Sequence, residues 1–341
     1  MMTGDQLLLA LDFGGTKLAA AVMLVGEQAW RTHRHVFSPP DRDFRYDVET
    51  MFSLARELLD GTRPAAIGVS FGGPVDASTG IVRRSYHVAG WENTSLRAML
   101  EAEFGAPSRV DNDANVAALG EHRFGSGQGL DSLLYITIST GVGGGWILNG
   151  RPWRGAEGMA GEIGHIVVDP AGPMCLCGKR GCVERLASGP YIAQRAREWL
   201  EAQPDRGHVL RRMVAACAPG LAEDIETTSP AQADLGLVTA QLVSQAALSG
   251  DELAWEALEV AAWALGVGIG NAANLINPQC FVLGGGVTKA GERFWAVIQR
   301  VSREIAMPDV HFEVLPAALG DDAPLWGAVA LAQDCLFGVQ S

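Results

Sequence analysis

The chain has 341 residues, 48% of them apolar and 19% charged, and 26 Lys and Arg against 39 Asp and Glu leave a formal charge of −13. That length suits two medium domains rather than one, and the acidic balance argues against a nucleic-acid binder, which displays basic surface. No basic leader precedes the first apolar run, and no run reads as long enough to span a bilayer, so a cytoplasmic protein without a membrane partner is expected.

Taken in chain order, the pattern is α/β. "LLLALDF" (7–13) and "LAAAVMLV" (18–25) read as strands joined by the glycine turn of "DFGGTK". A helix follows in "DVETMFSLARELLD", with Val48, Met51, Phe52, Ala55, Leu58 and Leu59 on one face and Asp47 as its expected N-cap. Further strands are expected at "AAIGVSF" (65–71), "SLLYITIS" (132–139), "GWILNG" (145–150), "QCFVLGG" (279–285) and "HFEVLP" (311–316). "DELAWEALEVAAWALGVGIGNAANLIN" (251–277) reads as a long buried helix whose glycines permit close packing. Residues 200–235, with three prolines, read as an exposed excursion. Residues 7–22 and 133–148 share one layout of strand, glycine turn and strand, which suggests two related lobes. The expected boundary gives a smaller lobe over 1–117 and a larger one over 118–321, with a C-terminal helix at 322–338 packing back on the first.

Three glycine turns are candidates for phosphate. In the first, Gly14 and Gly15 permit positive φ and let N–H groups converge on an anion. Thr16 would hydrogen-bond phosphate oxygens, Lys17 would neutralise them, and Asp12 would hold Mg²⁺ directly or through water. A plain hairpin turn is the alternative. The second turn, "STGVGGG", carries Thr140 and Gly141, and the third, "VLGGGV", carries Gly284, Gly285 and Gly286 ahead of a helix. Neither a Walker A loop nor a dinucleotide fingerprint is present.

"VDNDANVAALGEHRF" places Asn112 and Asp113 at the start of a helix. Either can be a helix cap. Alternatively Asp113 accepts the proton of a substrate hydroxyl while Asn112 holds a neighbouring one. Phosphoryl transfer has a loose transition state, so an ordinary carboxylate within reach suffices.

His165, Cys175, Cys177 and Cys182 read H-x9-C-x-C-x4-C. Imidazole and thiolates are zinc's preferred ligands, and four of them close a tetrahedral structural site with no open position. A reducing compartment disfavours disulfides, and no C-x-x-C is present. Glu162 and Glu184 bracket the cluster; solvated surface glutamates are the ordinary alternative, but a backbone fixed by the metal would aim both at vicinal hydroxyls. One nitrogen of His165 would bind zinc while the other meets a substrate.

Together "DFGGTK", "GVSFGGPVD", "VDNDANVAALGE", "STGVGGG", "GAEGMAGEIGH", "CLCGKRGCVE" and "VLGGGV" resemble the ROK family of sugar kinases and repressors, within the actin-like ATPase superfamily. The resemblance implies two ribonuclease-H-like lobes around a cleft, with a small zinc-stapled loop region. It implies an ATP-dependent hexose kinase of glycolysis, with Asp113 as base for the sugar 6-hydroxyl and Gly73, Asn112, Glu162, His165 and Glu184 on the hexose. The zinc ligands would be His165, Cys175, Cys177 and Cys182. MgATP would be served by Asp12, Gly14, Gly15, Thr16, Lys17, Thr140, Gly141 and Gly284–Gly286. A homodimer or homotetramer is the family habit. The first expected strand starts at residue 7, so the repressors' helix-turn-helix is not expected. The polyphosphate-using branch usually lacks the cysteine motif, which favours ATP. Glucose is the expected sugar, with N-acetylglucosamine, N-acetylmannosamine, fructose, mannose and allose as rivals and a non-catalytic sugar sensor as a rival of another class. "GGPVD" replaces the P-G-P-V-D of many relatives, and "GWENTSL" lacks a proline that they carry.

Overall fold

Residues 6–86, 88–217 and 234–339 are described by a computed structural model. The seven residues of β1 (Leu7–Phe13) are all buried, as a central strand covered on both faces requires. β2 (Lys17–Leu24) returns antiparallel to β1, and β3 (Thr32–Phe37) forms the edge, where most of its side chains meet solvent.

α1 (Phe44–Leu59) then buries Val48, Met51, Leu54, Ala55 and Leu59. Its N-cap is Asp43, whose carboxylate accepts from the amides of Arg45 and Tyr46, and not Asp47 as the sequence reading placed it. Asp47 lies inside the first turn and faces inward, where it bonds Arg42 and the Trp91 indole.

β4 (Ala66–Phe71) pairs parallel with β1. A small sheet of β5 (Val75–Asp76), β6 (Ile81–Val82) and β7 (Thr94–Ser95) follows, then α2 (Leu96–Phe104). β8 (Ser108–Asn112) pairs parallel with β4 and leads into α3 (Asp113–Phe124). The first sheet thus runs β3-β2-β1-β4-β8.

The second sheet contains β9 (Ser132–Ile138), β10 (Val142–Leu148), β11 (Arg151–Trp153), β12 (Cys280–Gly284) and β13 (Glu313–Pro316), in the order β11-β10-β9-β12-β13. The two orders match strand for strand, with β1 and β9 in the middle. This is the structural counterpart of the echo between residues 7–22 and 133–148.

By compactness the chain divides into Met1–Tyr135 with Gly144–Gly161 and Ala317–Ser341, and Ile136–Gly143 with Glu162–Pro316. In the first unit α10 (Ala323–Leu336) packs on α3 and β4. The approach is close: a Cβ on Gly68 of β4 would lie inside the backbone of Ala328.

The second unit holds α4 (Val183–Ala187), α5 (Gly189–Ala202), α6 (His208–Ala216), α7 (Ala240–Leu248), α8 (Glu252–Ile276) and α9 (Glu292–Ile305). α8 starts at Asp251, which caps Ala254, and ends at Asn277 in the left-handed region. Gly266 and Gly270 press against Val301 and Ile305 of α9, so a Cβ there would meet those side chains at 2.6 Å. Against the expectation that no apolar run is long enough for a bilayer, α8, at 25 residues and mean hydropathy 1.3, meets that length and composition. Its apolar window is 72% buried against neighbouring helices, which is the packing of a core helix.

Residues 200–235 are also not wholly an excursion. Leu210 and Val214, four apart, give α6 a buried stripe. Residues 218–233 of that stretch lie outside the described residues.

Candidate functional site

In the first unit the parallel strands β1, β4 and β8 end together. Register pairs Asp12 with Ser70 and Ser70 with Asp111, and one step further Phe13 with Phe71 and Phe71 with Asn112. Ligands of open α/β sheets bind beyond such carboxyl ends. Beneath this edge Trp91 is fully buried against Phe13, Phe71 and Phe44, with ring centroids 5.7, 4.8 and 5.9 Å away. Packed aromatics of that size fix the strand ends.

Asp12 is 7% exposed and accepts a hydrogen bond from Ser70 Oγ at 2.7 Å. Burial pushes its carboxyl up to about 6, and the negative charges of Asp113 and Asp322 add to the rise, while Ser70 and Lys17 oppose it. The turn after it is a hairpin, with Gly14 N–H donating to Lys17 O at 3.1 Å. Positive φ is not why glycine stands there: neither Gly14 nor Gly15 adopts it. Space is the reason at Gly14, where a Cβ would lie 2.8 Å from Lys17 O. Lys17 Nζ lies 3.9 Å from Asp322.

At the end of β8 the roles of Asn112 and Asp113 separate. Asn112 caps α3, its Oδ1 accepting from the Ala114 amide at 3.0 Å. Its Nδ2 donates to Gly73 O at 3.1 Å and to Asp113 Oδ1 at 2.9 Å. Asp113 Oδ1 also accepts from the Ala114 amide, at 2.9 Å. Asp111 is clamped by Arg154, with Nε and Nη2 each 2.7 Å from Oδ2.

Gly72 ties these groups together. A Cβ there would stand 3.8 Å from Asp113 Oδ2 and 3.8 Å from the Gly15 amide nitrogen. A carboxylate oxygen and an amide of the first glycine turn therefore border one small space, kept open by the missing side chain. The sequence reading singled out Gly73 and passed over Gly72; the Gly-Gly doublet was the available signal. Gly72→Ala is expected to fold, its closest contact being Phe13 O at 3.3 Å. It should lower kcat/KM about tenfold, or ~1.4 kcal/mol at the barrier, as read by steady-state kinetics beside a melting curve.

In the second unit the remaining candidates gather in two groups. His165, Cys175, Cys177 and Cys182 place their ligand atoms within 4.8 Å of one another. Cys177 and Cys182 sulfurs are 3.5 Å apart, and Cys175 Sγ lies 4.0 Å from His165 Nδ1. The other ring nitrogen, Nε2, faces Glu162 at 4.0 Å. Burial pushes the Cys182 thiol up to about 12 and that of Cys175 above its usual range. The Lys179 amide holds Cys177 below it. Gly181 turns the chain between Cys177 and Cys182 at φ 63°, with no room for a Cβ beside Asp169 O.

Glu184, in the first turn of α4 just after Cys182, accepts from the Val142 amide at 3.0 Å. Its Oε2 also lies 2.8 Å from the position a Cβ of Gly141 would take. Around the Thr140 turn, Ser139 N–H donates to Gly141 O at 2.9 Å and Gly189 N–H donates to Ser139 O at 2.8 Å. Gly285, at φ 90°, backs onto the carbonyl of Ile138, where a Cβ would be 2.3 Å away. The turns at 139–141 and 284–286 are thus neighbours in this unit, while the 14–17 turn belongs to the first.

Comparisons with known proteins agree with this architecture. A glucokinase of Halalkalibacterium halodurans is 39% identical over 267 residues, covering 76% of this chain and 74% of the relative. An N-acetylmannosamine kinase of Escherichia coli is 32% identical over 333 residues, covering 95% and 98%. The solved structure of a ROK family glucokinase from Streptomyces griseus, in complex with glucose and AMPPNP, superposes with a TM-score of 0.78 at 33% identity over 96% of this chain and 99% of that one. The ROK family profile matches residues 8–335, so the strand order, the glycine turns and the cysteine cluster are those of a protein that belongs to the ROK family.

Proposed function

We propose that this chain is an ATP-dependent hexose kinase that transfers the γ-phosphoryl of MgATP to the 6-hydroxyl of glucose. The observation that carries this reading is the space at Gly72, bordered by Asp113 Oδ2 and by the Gly15 amide. A base and an anion-binding amide are there close enough to serve the two ends of one bond-forming event.

In this reading the Gly15 and Thr16 amides and Lys17 hold the transferring phosphoryl group. The sugar 6-oxygen attacks phosphorus, the bond to the ADP oxygen breaks, and the hydroxyl proton passes to Asp113. Asn112 and the Gly73 backbone border the sugar, and Glu162, His165 and Glu184 hold its other hydroxyls. Thr140, Gly141 and Gly284–Gly286 serve the nucleotide. Asp12 suits Mg²⁺: it is a buried carboxylate with one hydroxyl donor among the described residues, and Asp113 and Asp322 add charge of its own sign against the opposing Lys17. Bound there, Mg²⁺ would neutralise developing phosphate charge.

The donor set at His165, Cys175, Cys177 and Cys182 fits a structural zinc ion, with His165 binding through Nδ1. Its proposed task is to aim the Nε2 face of His165 together with Glu162 and Glu184. Elemental analysis of protein purified without chelator is expected to give one zinc per chain, and protein free of zinc would overturn the assignment. A cytoplasmic, reducing setting agrees with this, and a homodimer or homotetramer is the proposed assembly.

The test of function is an ADP-release assay across hexoses and N-acetylhexosamines. Glucose is expected to give the highest kcat/KM, whereas tight glucose binding without turnover of any sugar would mark a sensor. The Escherichia coli relative favours one second reading, an N-acetylmannosamine kinase, for which the same panel would reverse the order.

A further inference from the structure

Arg42 is absent from every motif, yet its guanidinium lies directly against the first glycine turn. Its side chain is 3% exposed. Nη2 donates to Gly15 O at 2.7 Å and to Gly14 O at 3.2 Å, Nη1 donates to Pro39 O at 3.4 Å, and Nε donates to Asp47 Oδ1 at 2.6 Å. Asp47, also 3% exposed, accepts from the Trp91 indole at 3.3 Å through its other oxygen. Trp91 is fully buried among the phenylalanines that line the strand ends.

We propose that Arg42 is the positioning residue of the phosphate turn, which sets the direction in which the Gly15 and Thr16 amides point. The proposal rests on the kinase reading above. In a trans peptide the C=O and N–H of one unit point in opposite directions. Gly14 O shares its peptide with Gly15 N–H, and Gly15 O shares its peptide with Thr16 N–H. A guanidinium that holds both carbonyls therefore turns both amides away from itself. Among the described residues no backbone acceptor takes a hydrogen bond from either amide, whereas Gly14 N–H closes the hairpin on Lys17 O. Two adjacent amides facing the same way form an anion nest.

The Arg42–Asp47 pair makes better sense as a device of orientation than of stability. Burial raises the Asp47 carboxyl above its ordinary range even with the guanidinium against it. A buried ion pair costs desolvation that its attraction repays poorly. Arginine is required because its planar fork reaches two carbonyls and a carboxylate at once, and the point charge of lysine does not.

The test compares wild type, Arg42→Lys and Asp47→Asn. AMPPNP and glucose binding are measured separately by calorimetry with Mg²⁺, beside KM for each substrate and a melting curve. Arg42→Lys is expected to raise Kd for AMPPNP and KM for ATP about tenfold while Kd for glucose stays within twofold. Asp47→Asn, which keeps the arginine but loosens it, should move the same parameters in the same direction by less. Unchanged nucleotide binding in folded Arg42→Lys overturns the inference, as does equal weakening of glucose and AMPPNP, the sign of a merely structural role. A wild type that binds neither AMPPNP nor any sugar overturns the kinase reading, and with it this one.

Discussion

Asp113→Asn is expected to lower phosphoryl transfer by about 10²–10⁴-fold while glucose still binds with nearly wild-type affinity. The separation is expected because the two roles open to a carboxylate at a helix start fall on neighbouring residues here. Asn112 caps α3 through its own Oδ1. The Asp113 Oδ1 contact to the Ala114 amide survives in an asparagine of the same shape, as does acceptance from Asn112 Nδ2. What the substitution removes is the ability to take a proton at Oδ2, the oxygen that faces Gly72. Single-turnover chemistry, calorimetry with glucose and a melting curve decide the matter. A large drop in melting temperature with loss of glucose binding would mean that Asp113 serves the helix rather than the reaction.

Asp12→Asn is expected to have two effects of opposite kind. Mg²⁺-dependent turnover should fall by at least ~10²-fold, since a neutral amide replaces the carboxylate proposed to hold the ion. Without added Mg²⁺ the variant should be more stable than wild type at neutral pH. The folded state holds the Asp12 proton up to about 6, against an ordinary value of 3.8. A raised carboxyl leaves stability intact below pH 3.8 and removes it as pH climbs through 6. Two pKa units above the ordinary value correspond to about 3 kcal/mol, an upper figure once relaxation is allowed for. Groups common to both proteins cancel in the difference, so the gap between their melting curves should open from pH 4 to pH 7 and then level off. A gap that is constant with pH would show that Asp12 carries no such penalty.

The parts that were legible in the sequence share one property: their signal is local. A run of five apolar residues, Asp12 and Phe13 before two glycines fixes β1 and its hairpin, and cysteines with one and four residues between them bring their sulfurs together within a short loop. α8 was readable because its cap, its apolar run and its closing Asn277 are contiguous. The misreadings arise where two nearby residues compete. Asp43 and Asp47 are both plausible caps, and only the inward pull of Arg42 and Trp91 decides between them. Gly14 and Gly15 suggested unusual dihedrals, whereas close approach to Lys17 O is what constrains Gly14. Arg42 and Arg154 carried no local signature and Gly72 only its glycine doublet, because each gains its meaning from partners 27 to 57 residues distant in the chain, namely Gly15, Asp113 and Asp111.

The seat of α10 against β4 bears on how the protein is made. Gly68 is in place early in synthesis, but the helix that covers it spans Ala323–Leu336, some 250 residues later. Until that segment leaves the ribosome, the nascent first unit exposes an apolar sheet face, whereas most of the second unit has already emerged. Such long-range closure is slow and invites wrong association in the interval. The sheet face behind the strands of Asp12 and Ser70 is therefore covered only after the segment up to Pro316 has been made.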